Sequence, residues 1–151
     1  MNEQTMHGII EFPIERVQEA VGFYTGLMDK SRFAPQNALL GEIADMERGH
    51  TIVLQNLEKK GIPEGPAKKV ADLAISDYLV KPDKPADQLE YQDILILAMK
   101  REEASLRLYT DLSERTAGTP AAGVFLRLAG EEAGHKLKFE TLYDQDILKE
   151  N

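Results

Sequence analysis

With 151 residues, 42 % of them apolar and 29 % charged, the chain has the length and balance of one globular domain rather than of a disordered segment. A formal net charge of −8, with no basic stripe, argues against nucleic-acid binding. The absence of cysteine excludes thiolate zinc sites, Fe–S clusters, disulfides and cysteine nucleophiles, and leaves Asp, Glu and His to hold any metal. Such donors suit iron, manganese or zinc better than copper(I).

The opening residues MNEQTMHG are polar, and no apolar run approaches the ~20 residues of a membrane span. A cytoplasmic protein without membrane contact is therefore expected. The first helical pattern covers about 5–31, with Val17, Ala20, Val21, Tyr24, Leu27 and Met28 at helical spacing. The second covers about 35–60, with Pro35 near its start and Gly61 just past its end. Two Pro-rich stretches follow, GIPEGP and KPDKP, and between them AKKVADLAISDYL is a short amphipathic segment containing Val70, Leu73, Ala74, Asp77 and Tyr78. The third helical pattern covers about 87–115, with Leu95, Met99, Leu106, Tyr109 and Leu112. The fourth covers about 120–149, with Thr119 as its N-cap and Pro120 in the first helical position. Its end carries apolar Leu142, Tyr143, Ile147 and Leu148, suited to packing within the subunit or in a dimer.

Each long stretch has ~25–30 residues, about 40 Å of helix. No stretch alternates like a strand. Four long helices in a single domain, 1–151, predict an all-α bundle. Short links make the first and second helices, and the third and fourth, antiparallel neighbours. The middle link, about 61–86, is long enough to cross the height of a bundle and to carry a short helix of its own.

A shift of 85 residues aligns the two halves of the chain without a gap. It carries Phe23-Tyr24-Thr25-Gly26-Leu27 onto Leu108-Tyr109-Thr110-Asp111-Leu112, Arg16 onto Arg101, Ala44 onto Ala129 and Leu57 onto Leu142. It also carries Glu47-Arg48-Gly49-His50 onto Glu132-Ala133-Gly134-His135. The repeat predicts a pseudo-twofold arrangement of two helix pairs. Residues three apart share a helical face, so each Glu-x-Gly-His offers a carboxylate and an imidazole to one ion or to two adjacent ions. A single Glu-x-x-His is ordinarily a solvated pair, but two of only three histidines fall at matched positions among apolar neighbours. The third, His7, is expected to be exposed. Glycine before each histidine costs roughly 1 kcal/mol of helix stability relative to alanine, and suggests close approach of a neighbouring helix.

On these motifs the chain resembles the rubrerythrin branch of the ferritin-like superfamily over nearly its whole length. That family pairs Glu-x-x-His on the second and fourth helices with a Glu seven residues before a Tyr on the first and third. Glu102, seven before Tyr109, fits; Glu103 is rotated by ~100° toward solvent or an interhelical salt bridge. On the first helix Val17 stands seven before Tyr24, and the 85-residue shift also places Val17 on Glu102. Glu15, Gln18 and Glu19 point elsewhere around the helix, and the two glutamates read as a solvated face.

The resemblance implies a ferritin-like four-helix bundle with one long crossover and a metal set of Glu47, His50, Glu102, Glu132 and His135. Glu47 and Glu132 would bridge two metals, one of which keeps Glu102 and His135. The other keeps His50 but lacks its terminal carboxylate, at Val17, so the two positions are expected to be unequal. Tyr24 and Tyr109 would orient ligands by hydrogen bonds; packing in the core is an equal alternative for both. The implied activity is that of a non-haem di-iron oxidoreductase or peroxidase, with iron as the metal and zinc or manganese as substitutes. Without cysteine its electron donor would be a separate protein. The alternatives are metal handling without turnover and a structural bundle. Relatives of this kind often form homodimers, and no fifth helix suggests a closed storage shell.

Overall fold

The computed structural model describes residues 3–29, 35–60, 78–80, 84, 85 and 88–148, and of 3–9 the backbone alone. The side chain of His7 and most of the crossover, including the anticipated short helix, lie outside the described residues. Among the described residues there are four long α-helices, α1 Glu3–Met28, α2 Asn37–Lys60, α3 Tyr91–Arg115 and α4 Pro120–Tyr143, the last followed by a π-helical turn at Asp144–Leu148. No strand occurs among the described residues, so the chain is all-α as its periodicity predicts. No helix among them is long and apolar enough to cross a membrane.

The helix ends follow local chemistry. Pro35 and Gln36 form a 3₁₀ turn, and the α-helix begins at Asn37. α3 begins at Tyr91, later than the apolar pattern suggests. There the Asp93 carboxylate accepts the backbone N–H of Glu90 at 3.0 Å, which is one arm of a capping box. Lys84 donates to the same oxygen at 3.1 Å. Both interactions hold the Asp93 carboxyl below its ordinary pKa, the backbone bond contributing most. α4 begins at Pro120 as expected, with the Thr119 carbonyl accepting the Ala122 N–H at 3.2 Å and the Thr119 hydroxyl donating to the Thr116 carbonyl at 2.7 Å. The preceding turn needs Gly118, whose φ of 85° is costly for any residue with a Cβ.

The chain divides into two compact units, Met1–Leu73 with Glu114–Gly123, and Ala74–Ser113 with Val124–Asn151. In the first, α1 and α2 pack together. Met28 of α1 closes on Gly41 of α2, where its methyl group would lie 3.3 Å from an added Cβ. In the second, contacts pair early residues of α3 with late residues of α4. The Tyr91 hydroxyl donates to Asp146 at 2.6 Å, Gln92 donates to the Tyr143 hydroxyl at 3.0 Å, and Tyr109 stacks on Phe125 with centroids 6.4 Å apart. That numbering order makes α3 and α4 antiparallel. The Tyr78 hydroxyl, at the end of the crossover, donates to Asp111 of α3 at 2.6 Å.

The repeat is visible in both units. Ile10, Pro13, Tyr24, Leu27, Leu40, Ile43, Ala44 and Leu54 are buried, and so are their counterparts Leu95, Ala98, Tyr109, Leu112, Phe125, Leu128, Ala129 and Phe139. The hydroxyls of Thr25 and Thr110 each donate to the carbonyl four residues back, both at 2.8 Å. These matched positions share burial, and Thr25 and Thr110 share a side-chain bond, whereas Leu57 is buried and its counterpart Leu142 half-buried. One expectation fails. Gly49 and Gly134 are exposed, and an added Cβ at either meets nothing within 4 Å among the described residues. They do not admit a neighbouring helix, because the histidine beside each faces inward and the glycine is turned ~100° away.

Candidate metal centre

In the second unit α4 presents Glu132 and His135 one turn apart on its buried face, and α3 presents Glu102. The Nδ1 of His135 lies 3.4 Å from Oε2 of Glu102. Each of the three residues offers a ligand atom within 4.8 Å of one on the other two. Donors around a common ion at about 2.0–2.2 Å lie roughly 3–4 Å from one another, so a small side-chain adjustment would bring all three to one metal. Glu103, one position on, points outward and takes Lys136 of α4 at 2.9 Å, an interhelical salt bridge at the surface.

In the first unit α2 presents Glu47 and His50 on its buried face, with His50 Nδ1 3.5 Å from Glu47 Oε2. Val17 of α1 is 3 % exposed, at the position that Glu102 occupies in the other unit. The neighbouring glutamates are solvated. Glu15 and Glu19 are each more than half exposed and share Arg16, which lies over the Phe12 ring at 4.9 Å. Gln18 is exposed as well.

Tyr24 and Tyr109 are both buried. Tyr24 meets Phe23 edge-on with centroids 5.1 Å apart, and Tyr109 stacks on Phe125. Both rings therefore pack in their cores, which is compatible with either role for their hydroxyls.

Among the described residues, the buried Asp, Glu, His, Lys and Arg side chains are Glu47, His50, Glu102, Glu132 and His135. They are the five anticipated ligands. Burying a carboxylate costs several kcal/mol unless a cation or hydrogen bonds compensate. Imidazole and carboxylate donors without thiolate fit iron, manganese or zinc. No family model matches the chain, and neither curated proteins nor solved structures give a match.

Proposed function

We propose that this chain is an iron-binding, rubrerythrin-like protein with a ferritin-like four-helix bundle, in which Glu47, His50, Glu102, Glu132 and His135 form one metal-binding set. The observation that carries the reading is the coincidence of the buried ionisable residues with the two repeated motifs and Glu102. Glu47 and Glu132 hold equivalent positions in the repeat, as bridging carboxylates must. Both are buried, together with Glu102 and His135. Bound there, iron would supply one-electron chemistry toward oxygen or peroxide. The chain's own part is to fix the donors on rigid helices, to exclude bulk water, and to orient ligands through Tyr24 and Tyr109. Electrons would come from a separate donor protein, and a homodimer is the proposed assembly.

Metal analysis of anaerobically purified protein tests this reading. Iron is expected in the wild type and none in the His50→Ala/His135→Ala double variant, with helicity unchanged by circular dichroism. Equal metal in both would refute the site. A second reading, metal handling without turnover, is favoured by the apolar Val17 at a ligand position. Peroxide consumption by iron-loaded protein with a reductant supports the oxidoreductase; stoichiometric binding without turnover supports the second reading.

A further inference from the structure

We infer that the two metal positions of the set are unequal, the one beside His135 holding its ion tightly and the one beside His50 weakly, because Val17 stands where the repeat places Glu102. The inference rests on the metal-binding reading above and specifies its stoichiometry.

The register leaves no room for a slipped alternative. Buried Pro13 and Tyr24 flank Val17 as buried Ala98 and Tyr109 flank Glu102. The matched burial of Pro13 and Ala98, and of Tyr24 and Tyr109, shows that the same face of each helix turns inward. Val17 thus takes the same inward direction as Glu102, and an isopropyl group has no donor atom. The described side chains of Glu11, Glu15 and Glu19 on α1 are all exposed. Replacing Val17 by one of them would require turning α1 by ~100° or more and exposing Tyr24.

His135 meets a carboxylate from the other helix of its pair, Glu102 at 3.4 Å. The carboxylate beside His50 is Glu47 of its own helix, at 3.5 Å. The second unit supplies three donors from two helices, which fixes an ion in three dimensions. The first unit supplies Glu47 and His50 from one helix and no carboxylate at Val17, so the position beside His50 lacks its terminal ligand, and a water in its place would find nothing on Val17 to hold it.

Losing a hydrogen-bond partner of a ligand commonly costs 10–100-fold in metal affinity. Losing a ligand costs at least about 100-fold on that scale. The test titrates metal-free protein with Zn(II), and anaerobically with Fe(II), following affinity by chelator competition and content by elemental analysis. Wild type is expected to take one equivalent tightly and a second at least about 100-fold more weakly. Glu102→Val, which makes the two halves alike, removes the tight equivalent. Val17→Glu raises the tight count from one to two. If that variant does not fold by circular dichroism, Glu102→Val alone decides the matter. Two equal, tight equivalents in wild type, or a tight equivalent surviving Glu102→Val, overturn the inference and leave the metal-binding reading standing. Failure of wild type to bind either ion removes both.

Discussion

The α1–α2 and α3–α4 pairs are two solutions to one folding problem, and they differ where chemistry is added. Most of their core positions correspond, from Ile10 and Leu95 to Leu54 and Phe139, with exceptions such as buried Ala104 against exposed Glu19. At one position an apolar core is completed by Val17 and at its counterpart a carboxylate, Glu102, is buried instead. Core positions tolerate exchange among apolar residues of similar volume at modest cost. A buried carboxylate does not persist on packing alone, since it must be compensated. The difference separates a position that apolar packing accounts for from one whose carboxylate needs a partner, such as His135 at 3.4 Å.

The comparison can be strained first at the cores. Phe125→Ala is expected to cost about 3–5 kcal/mol of unfolding free energy, and Leu40→Ala at the matched position about 2–5 kcal/mol. Urea denaturation should place the Leu40 variant at the lower value, and the reverse order would break the equivalence of the two cores. At the ligands, His135→Ala should weaken the tightest metal equivalent by at least about 100-fold, and His50→Ala much less. Competition titration reads both, and equal losses would erase the asymmetry.

Backbone effects come next. Gly118→Ala forces a Cβ into φ 85° and should lower stability by about 1 kcal/mol. Gly49→Ala and Gly134→Ala should each raise it by up to about 1 kcal/mol, because both sites are exposed helix interiors with open space. Thermal melts decide this, and a loss at either would show that the glycine serves a contact after all.

The smallest effect is on acid stability. The carboxyl of Asp93 has its pKa lowered in the folded state by the Glu90 N–H and then by Lys84. Its contribution is present above the unfolded value of about 3.9 and is lost as pH falls through the lower folded value. Asp93→Asn should flatten this part of the acid limb of a stability-versus-pH curve, and an unchanged limb would remove the assignment.

Helix content and partners were readable because the apolar period and the breakers agree over long windows. The buried histidines and their glutamates were readable because two histidines recur at matched positions in a chain that has only three. Helix boundaries were less so. The start of α3 is set by a capping arm built with Asp93, where the familiar signature has Glu or Gln. The role of Gly49 and Gly134 was misread because a glycine's sequence position does not reveal which way its Cα faces. The π-helical turn at Asp144–Leu148 carries no periodic signal, and the structure ties it across the pair through Tyr91 and Asp146.

That tie has a bearing on how the pair opens. Helix termini ordinarily fray, since their last carbonyls have no partner within the helix. Here the Tyr91–Asp146 and Gln92–Tyr143 bonds fasten the end of α4 to the start of α3. Burial, then the bond to Asp146, pushes the Tyr91 phenol far above its ordinary pKa, so the donor keeps its proton even in alkaline solution. Amide hydrogens in the last turn of α4 should therefore exchange with solvent slowly, together with the first turn of α3, as one cooperative unit.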